Sequence, residues 1–148
     1  MKKNDYIVNP KTGTPVFGTI PCINNKPYPF PEGEIFLKYG EHLGANRGFG
    51  IRHIWEEHKD DILSMGYEST DKYALTAHYV SDILISGARI FCEFARHRNE
   101  RVTILQSAIG ISIIEHRYDG DGNTIYSVIS AYKLRRRKPH GELIGNLK

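Results

Sequence analysis

From residue 89 onward, apolar and polar side chains alternate over short runs. Residues 89–95, 101–107, 111–118 and 124–134 are rich in β-branched and aromatic types and are separated by turn residues. A period of two marks strands half-buried in a sheet, so a four-stranded antiparallel meander is predicted. Upstream the period changes. Ile51, Ile54, Trp55, His58 and Ile62 fall on one stripe at about 100° per residue, which predicts a helix over 51–64. A second helix is predicted over 70–86, with Asp71 in its first turn, Tyr73, Ala77, Val80 and Leu84 on its buried side, and Gly87 as its stop. Asn9-Pro10-Lys11-Thr12-Gly13-Thr14-Pro15 is turn chemistry, and Pro27, Pro29 and Pro31 forbid a regular helix there. The first 47 residues therefore read as an irregular arm with one or two short strands, 35–39 the strongest of them, and 40–50 as a glycine-rich connector. The expected fold is α+β: an N-terminal irregular arm and two helices packed on a four-stranded antiparallel sheet. It is expected as one domain, with arm 1–47, helical part 48–88, sheet 89–138 and tail 139–148.

A chain of 148 residues buries enough apolar surface to fold without disulfides or a structural metal. Cys22 stands in a Pro/Asn-rich loop and Cys92 in an apolar run, a weak signal for a bridge, so a reducing environment is expected. No apolar run approaches the roughly 20 residues of a membrane span, and residues 1–10 lack the apolar block of a signal peptide. The expectation is a soluble, cytoplasmic protein without a membrane partner, or a domain delivered into a target-cell cytoplasm as part of a larger exported protein. The net charge of +3 is unevenly placed: Lys133, Arg135, Arg136, Arg137 and Lys138 cluster late, and Arg89, Arg96, Arg98 and Arg101 bracket a central segment. Clustered arginine suits backbone phosphates, because its planar fork holds two oxygens at once, and it equally serves as a solvated basic rim.

Chemistry concentrates between Gly48 and His58, where two histidines open the first helix behind a glycine hinge. Imidazole both takes and gives a proton near neutrality, and a helix start favours a bound anion. On the helical wheel His58 faces the protein body, where a core histidine would also stand. His53 points roughly 140° away, where an exposed residue paired with Glu57 would stand. A zinc-protease helix needs its histidines four apart with glutamate after the first; here they are five apart and Ile54 follows, so a metal-free site without cofactor is expected. In the last strand, alternation sets Tyr126, Val128, Ser130, Tyr132 and Leu134 against Ile125, Ser127, Ile129, Ala131 and Lys133. At the end or open face of the sheet, Ser130, Tyr132, Lys133, His116 and Arg117 are of types that hold phosphate and stack bases. Asp119-Gly120-Asp121-Gly122-Asn123 has the alternating oxygens of a calcium loop but lacks its glycine and closing glutamate, and it reads as a hairpin turn.

Gly50-Ile51-Arg52-His53-Ile54 with His58, followed by a sheet ending in Tyr126-Ser127-Val128-Ile129-Ser130-Ala131-Tyr132, resembles the barnase/EndoU/colicin/RelE-like nuclease superfamily, in its phage and polymorphic-toxin branches. The resemblance spans the last two thirds of the chain. It implies metal-independent cleavage of RNA, often tRNA, by 2′-OH attack to a cyclic phosphate and a 5′-OH. It makes His53 the first choice for general base or acid and His58 its partner or orienter. Ser130, Tyr132 and Lys133 would then hold phosphate, with Arg101 or Arg117 as a further clamp. The chain departs from the barnase pattern in having no glutamate at an obvious base position; Glu93 and Glu115 are the strand candidates. Two other readings stand beside it: a non-catalytic RNA- or DNA-binding module, and a protein-interaction domain paired with an immunity or antitoxin protein.

Overall fold

The first fifty residues carry more regular structure than their turn chemistry suggests. In the computed structural model of the chain, which describes residues 1–94 and 100–148, β1 (Val16–Ile20) and β2 (Gly33–Phe36) pair antiparallel. β3 (Glu41–Gly44) and β4 (Arg47–Phe49) form a separate hairpin whose turn holds Asn46 at φ 59°, a conformation asparagine tolerates. The predicted 40–50 connector is thus largely this hairpin. It leads straight into α1 (Gly50–Leu63), and α2 (Lys72–Ile83) follows, with the Asp71 carboxylate accepting from the Tyr73 N–H at 3.0 Å as its N-cap. Then come β5 (Arg89–Cys92), β6 (Arg101–Gln106), β7 (Gly110–Tyr118), β8 (Thr124–Tyr132) and β9 (Glu142–Asn146). Residues 95–99, which include Arg96, Arg98 and the predicted end of the first strand run, lie outside the described residues.

The expected four-stranded antiparallel sheet is corrected. Seven strands form one sheet in the order β1-β2-β8-β7-β6-β5-β9, and it is mixed, because β2 lies parallel to β8. The four alternating runs are its centre. β2 is four residues long and follows a proline run, and its place beside β8 is a long-range pairing that leaves no local pattern. The predicted tail contains β9, which pairs antiparallel with β5.

The alternation expected along β8 is also corrected. Ile113 pairs with Ser130 but Ile114 pairs with Val128, so Ile129 is an extra residue, a β-bulge. Tyr126 and Val128 face the helices; past the bulge Ala131 takes that side, and Ser130 and Tyr132 turn to the open face. One inserted residue thus delivers Tyr132 to the surface opposite the main core.

Both helices pack on one face. Ile51, Ile54 and Ile62 of α1 and Tyr79, Val80 and Ile83 of α2 are fully buried against Ile35, Ile104, Ile114 and Val128. Each such side chain contributes about 1.5–3 kcal/mol relative to exposure. α1 is kinked at His58 (φ −134°, ψ 25°), and α1 packs chiefly on β8 and α2. The 119–123 segment is the expected hairpin turn: the Asp119 carboxylate accepts from the Asp121 and Asn123 N–H groups, each at 2.9 Å. Among the described residues, no helix is long and apolar enough to cross a membrane.

Candidate nucleic-acid groove and histidine cluster

The open face of the sheet carries a small apolar cluster of its own. Phe91, Leu105 and Ile111 are buried there, with Ile113, Tyr132 and Leu134 packed against them. After β8 the chain folds back over this patch, and Pro139 and His140 close the other side of a groove of about 960 Å³. Among the described residues, its walls carry the cations Arg101, Lys133, Arg135 and Arg136, against the carboxylate of Glu93. An apolar, partly aromatic floor between basic walls is what a single-stranded nucleic acid requires, since bases stack on the floor and phosphates meet the rim.

Several of these cations are held in place. Arg101 Nε donates to Glu115 Oε2 at 2.6 Å, and Arg117 pairs with the other oxygen of Glu115, whose side chain is only 3% exposed. The Arg135 fork grips Asp61 through both carboxylate oxygens, at 2.6 and 3.2 Å, and the Lys133 N–H donates to Asp61 at 3.0 Å. Burial raises the Asp61 pKa, but these donors outweigh it and hold the carboxyl below its usual range. Asp61 therefore stays ionised and ties the C-terminus of α1 to the strand end that forms the groove wall.

At one end the groove meets a smaller hollow of about 400 Å³, sharing Tyr132 and Arg135 with it. His58 lines this hollow, its ring 4.7 Å from the Tyr132 ring and tilted by 32°. The kink at His58 falls where the predicted stripe would have pointed this side chain fully into the core; it is half-buried instead. Burial pushes its pKa below the ordinary imidazole value, against the pull of Asp61 and Glu57, so the ring is neutral at pH 7. Burial raises the Tyr132 pKa, so its hydroxyl keeps its proton.

His53 sits elsewhere. It is 5% exposed rather than standing at an open helix start, because the β3–β4 hairpin covers it. Its Nδ1 lies 3.0 Å from Nδ1 of His42, and the ligand atoms of His42, His53 and Glu57 all lie within 4.8 Å of one another. Gly48 makes room for the ring: a Cβ there would stand 2.8 Å from His53 Nδ1. Desolvation again lowers the His53 pKa.

Of the residues singled out in the sequence, His58, Tyr132, Lys133 and Arg101 meet at the groove and its end. Arg117 reaches that region only through Glu115. Ser130 is buried on the same face, its carbonyl accepting from Ser112 Oγ at 3.0 Å. His116 is at the other end of β7, buried among Tyr28, Tyr118 and Tyr126, with Nδ1 2.8 Å from the Tyr28 hydroxyl. His53 and His58 do not share one site. Sequence reasoning missed His42, Asp61, Phe91 and His140. For Asp61 and Arg135 a signal existed, an acid at the end of the helix and a basic run after the last strand; for His42, separated from His53 by a hairpin, none did. Compared with known protein families, curated proteins and solved structures, the chain matches none.

Proposed function

We propose that the chain is a metal-independent endoribonuclease that holds single-stranded RNA in the open-face groove and cuts it at the His58 end. One observation carries the reading: the imidazole of His58 packs beside the Tyr132 ring, and Tyr132 is at the same time a wall of the cationic groove. A ribose placed at this junction presents its 2′-OH to a ring poised to accept a proton. The 2′-oxygen attacks phosphorus, His58 takes its proton, and the 5′-oxygen leaves with a proton from Tyr132, whose ring lies beside that of His58. Arg135, which lines both groove and hollow, and Lys133 on the groove wall answer the charge that builds on the phosphorane. The products are a 2′,3′-cyclic phosphate and a 5′-OH. The setting implied by the resemblance, a toxin or phage effector acting on tRNA and held by an immunity partner, belongs to this proposal.

Incubating the purified protein with total RNA in the presence of a chelator tests it. Fragments with 5′-hydroxyl and cyclic-phosphate ends are the expected result. Fragments with 5′-phosphate ends, or intact RNA, contradict it.

A second reading has its own observation. The hollow around His58 is lined by Glu56, Glu57, Asp60 and Asp61 against Lys59 and Arg135, so phosphate is better received in the groove than in the hollow. On that reading the groove binds RNA by stacking and phosphate contacts without turnover, and the same incubation yields intact RNA with a salt-sensitive gel shift.

A further inference from the structure

His42 and His53 line neither the groove nor the His58 hollow, while Glu57, which lines the hollow, also stands beside them, and this cluster's geometry has a use of its own. Two imidazoles rarely meet through the same ring nitrogen unless something is shared between them, and here the shared object is a proton or an ion. We propose that His42, His53 and Glu57 hold one divalent transition-metal ion of the zinc class, clipping the β3–β4 hairpin to α1.

The distances support an ion. Zinc binds imidazole nitrogen at about 2.0–2.1 Å, so two nitrogens 3.0 Å apart subtend about 95° at an ion placed between them. Opening the pair by about 0.4 Å gives the tetrahedral angle. Glu57 lies one helical turn after His53, on the same side of α1, and one of its carboxylate oxygens lies within 4.8 Å of a ring nitrogen of each histidine. A carboxylate on so flexible a stem closes that gap by rotation. The Asn46 N–H donates to Glu57 Oε1 at 2.6 Å, the kind of outer contact that orients a ligating carboxylate. His53 is fixed by burial, while His42 is exposed on β3, so the fourth coordination position opens to solvent and takes water. Two histidines, one carboxylate and an open position make a donor set that suits zinc, cobalt or nickel rather than calcium or magnesium, which prefer all-oxygen shells.

This site was invisible to motif reasoning. The His53–His58 spacing argues against those two sharing an ion. The second histidine comes from eleven residues upstream, across the hairpin. The proposal does not depend on RNA cleavage, since a clip between hairpin and helix acts on stability.

The experiment uses the metal-stripped full chain, Zn²⁺ in thermal unfolding and Co²⁺ in visible absorption. One Co²⁺ per chain with the ligand-field bands of a four-coordinate site is expected. At about 100 times Kd, Zn²⁺ is expected to raise Tm by about 5–10 °C. His42→Ala and Glu57→Gln, both at accessible positions, are expected to bind more than about 100-fold more weakly, beyond the loss of an outer-shell partner. Their Tm without metal is expected to stay near that of the parent chain. Cys22→Ser, which removes the exposed thiol, is expected to leave affinity unchanged. The proposal is overturned if the parent chain shows neither the cobalt bands nor the zinc-dependent rise in Tm. It is equally overturned if His42→Ala binds as tightly as the parent, or if Cys22→Ser abolishes binding.

Discussion

His58→Ala is expected to slow RNA cleavage by about 10²–10⁴-fold, the usual contribution of a positioned general base, with little change in RNA affinity. On the proposed reading the affinity is expected to reside in the groove, which Phe91, Tyr132 and four cations line without His58. The pH profile gives the same residue a second signature. A base works in its neutral form, and burial sets the His58 pKa below 6.5, so cleavage by the parent chain is expected to fall as pH drops through that lowered value and to be level at neutrality. The alkaline limb belongs to Tyr132, whose raised pKa places the loss of its proton above the ordinary 10.0. His58→Ala should erase the acidic limb, whereas a merely structural change would lower the rate and leave the profile's shape intact. Single-turnover rates from pH 4 to 9 with a fluorescent oligoribonucleotide check the loss of rate and the acidic limb.

Gly40→Ala is expected to be the most damaging single-methyl change, costing about 3–5 kcal/mol of stability. Gly40 holds φ +76°, and a Cβ there would stand 1.9 Å from the Phe49 carbonyl oxygen and 2.9 Å from Gly50 Cα. Neither neighbour is the end of a flexible side chain. The Gly40 carbonyl itself accepts from the Arg52 guanidinium, which ties this turn to α1. Gly66 is the control: its φ is +74°, but a Cβ there meets nothing within 4 Å. Gly66→Ala should cost only about 1–2 kcal/mol of left-handed strain. Urea unfolding of the two variants measures the difference, with the midpoint moving and the slope unchanged. Equal shifts would contradict the close backbone approach.

The β5–β8 meander and both helices were legible because each repeats a local period over enough residues to be read: alternation in Val102, Ile104 and Ile114, a helical stripe in Ile51, Ile54 and Ile62. The outer strands were legible only in part: the strand expected at 35–39 overlaps β2, while its partner and β9 were missed. β2 has four residues and β9 five, and what makes them strands is the neighbour they find, β8 and β5, far away in the chain. A sequence pattern cannot carry that information when so few side chains express it. The bulge at Ile129 is a second kind of silence: an alternation continued through it puts Tyr132 on the same face as Val128, and one extra residue reverses this. For the candidate site, Tyr132, Lys133, Arg101 and His58 were legible as residue types at the ends of elements. Their assembly was legible only in part, because it needs the Asp61–Arg135 tie between α1 and the end of β8. His53 looked like the leading histidine because it follows the glycine hinge, yet that hinge is the hairpin that buries it.

The most direct measurement compares an oligoribonucleotide with its all-2′-deoxy counterpart of the same sequence, following binding and cleavage of each in chelator-containing buffer. Both strands should bind the groove with comparable affinity, and only the ribose strand should be cut, leaving a cyclic phosphate. Cleavage of the deoxy strand, or persistence of both strands uncut while bound, would contradict a centre in which His58 draws the proton from a 2′-hydroxyl.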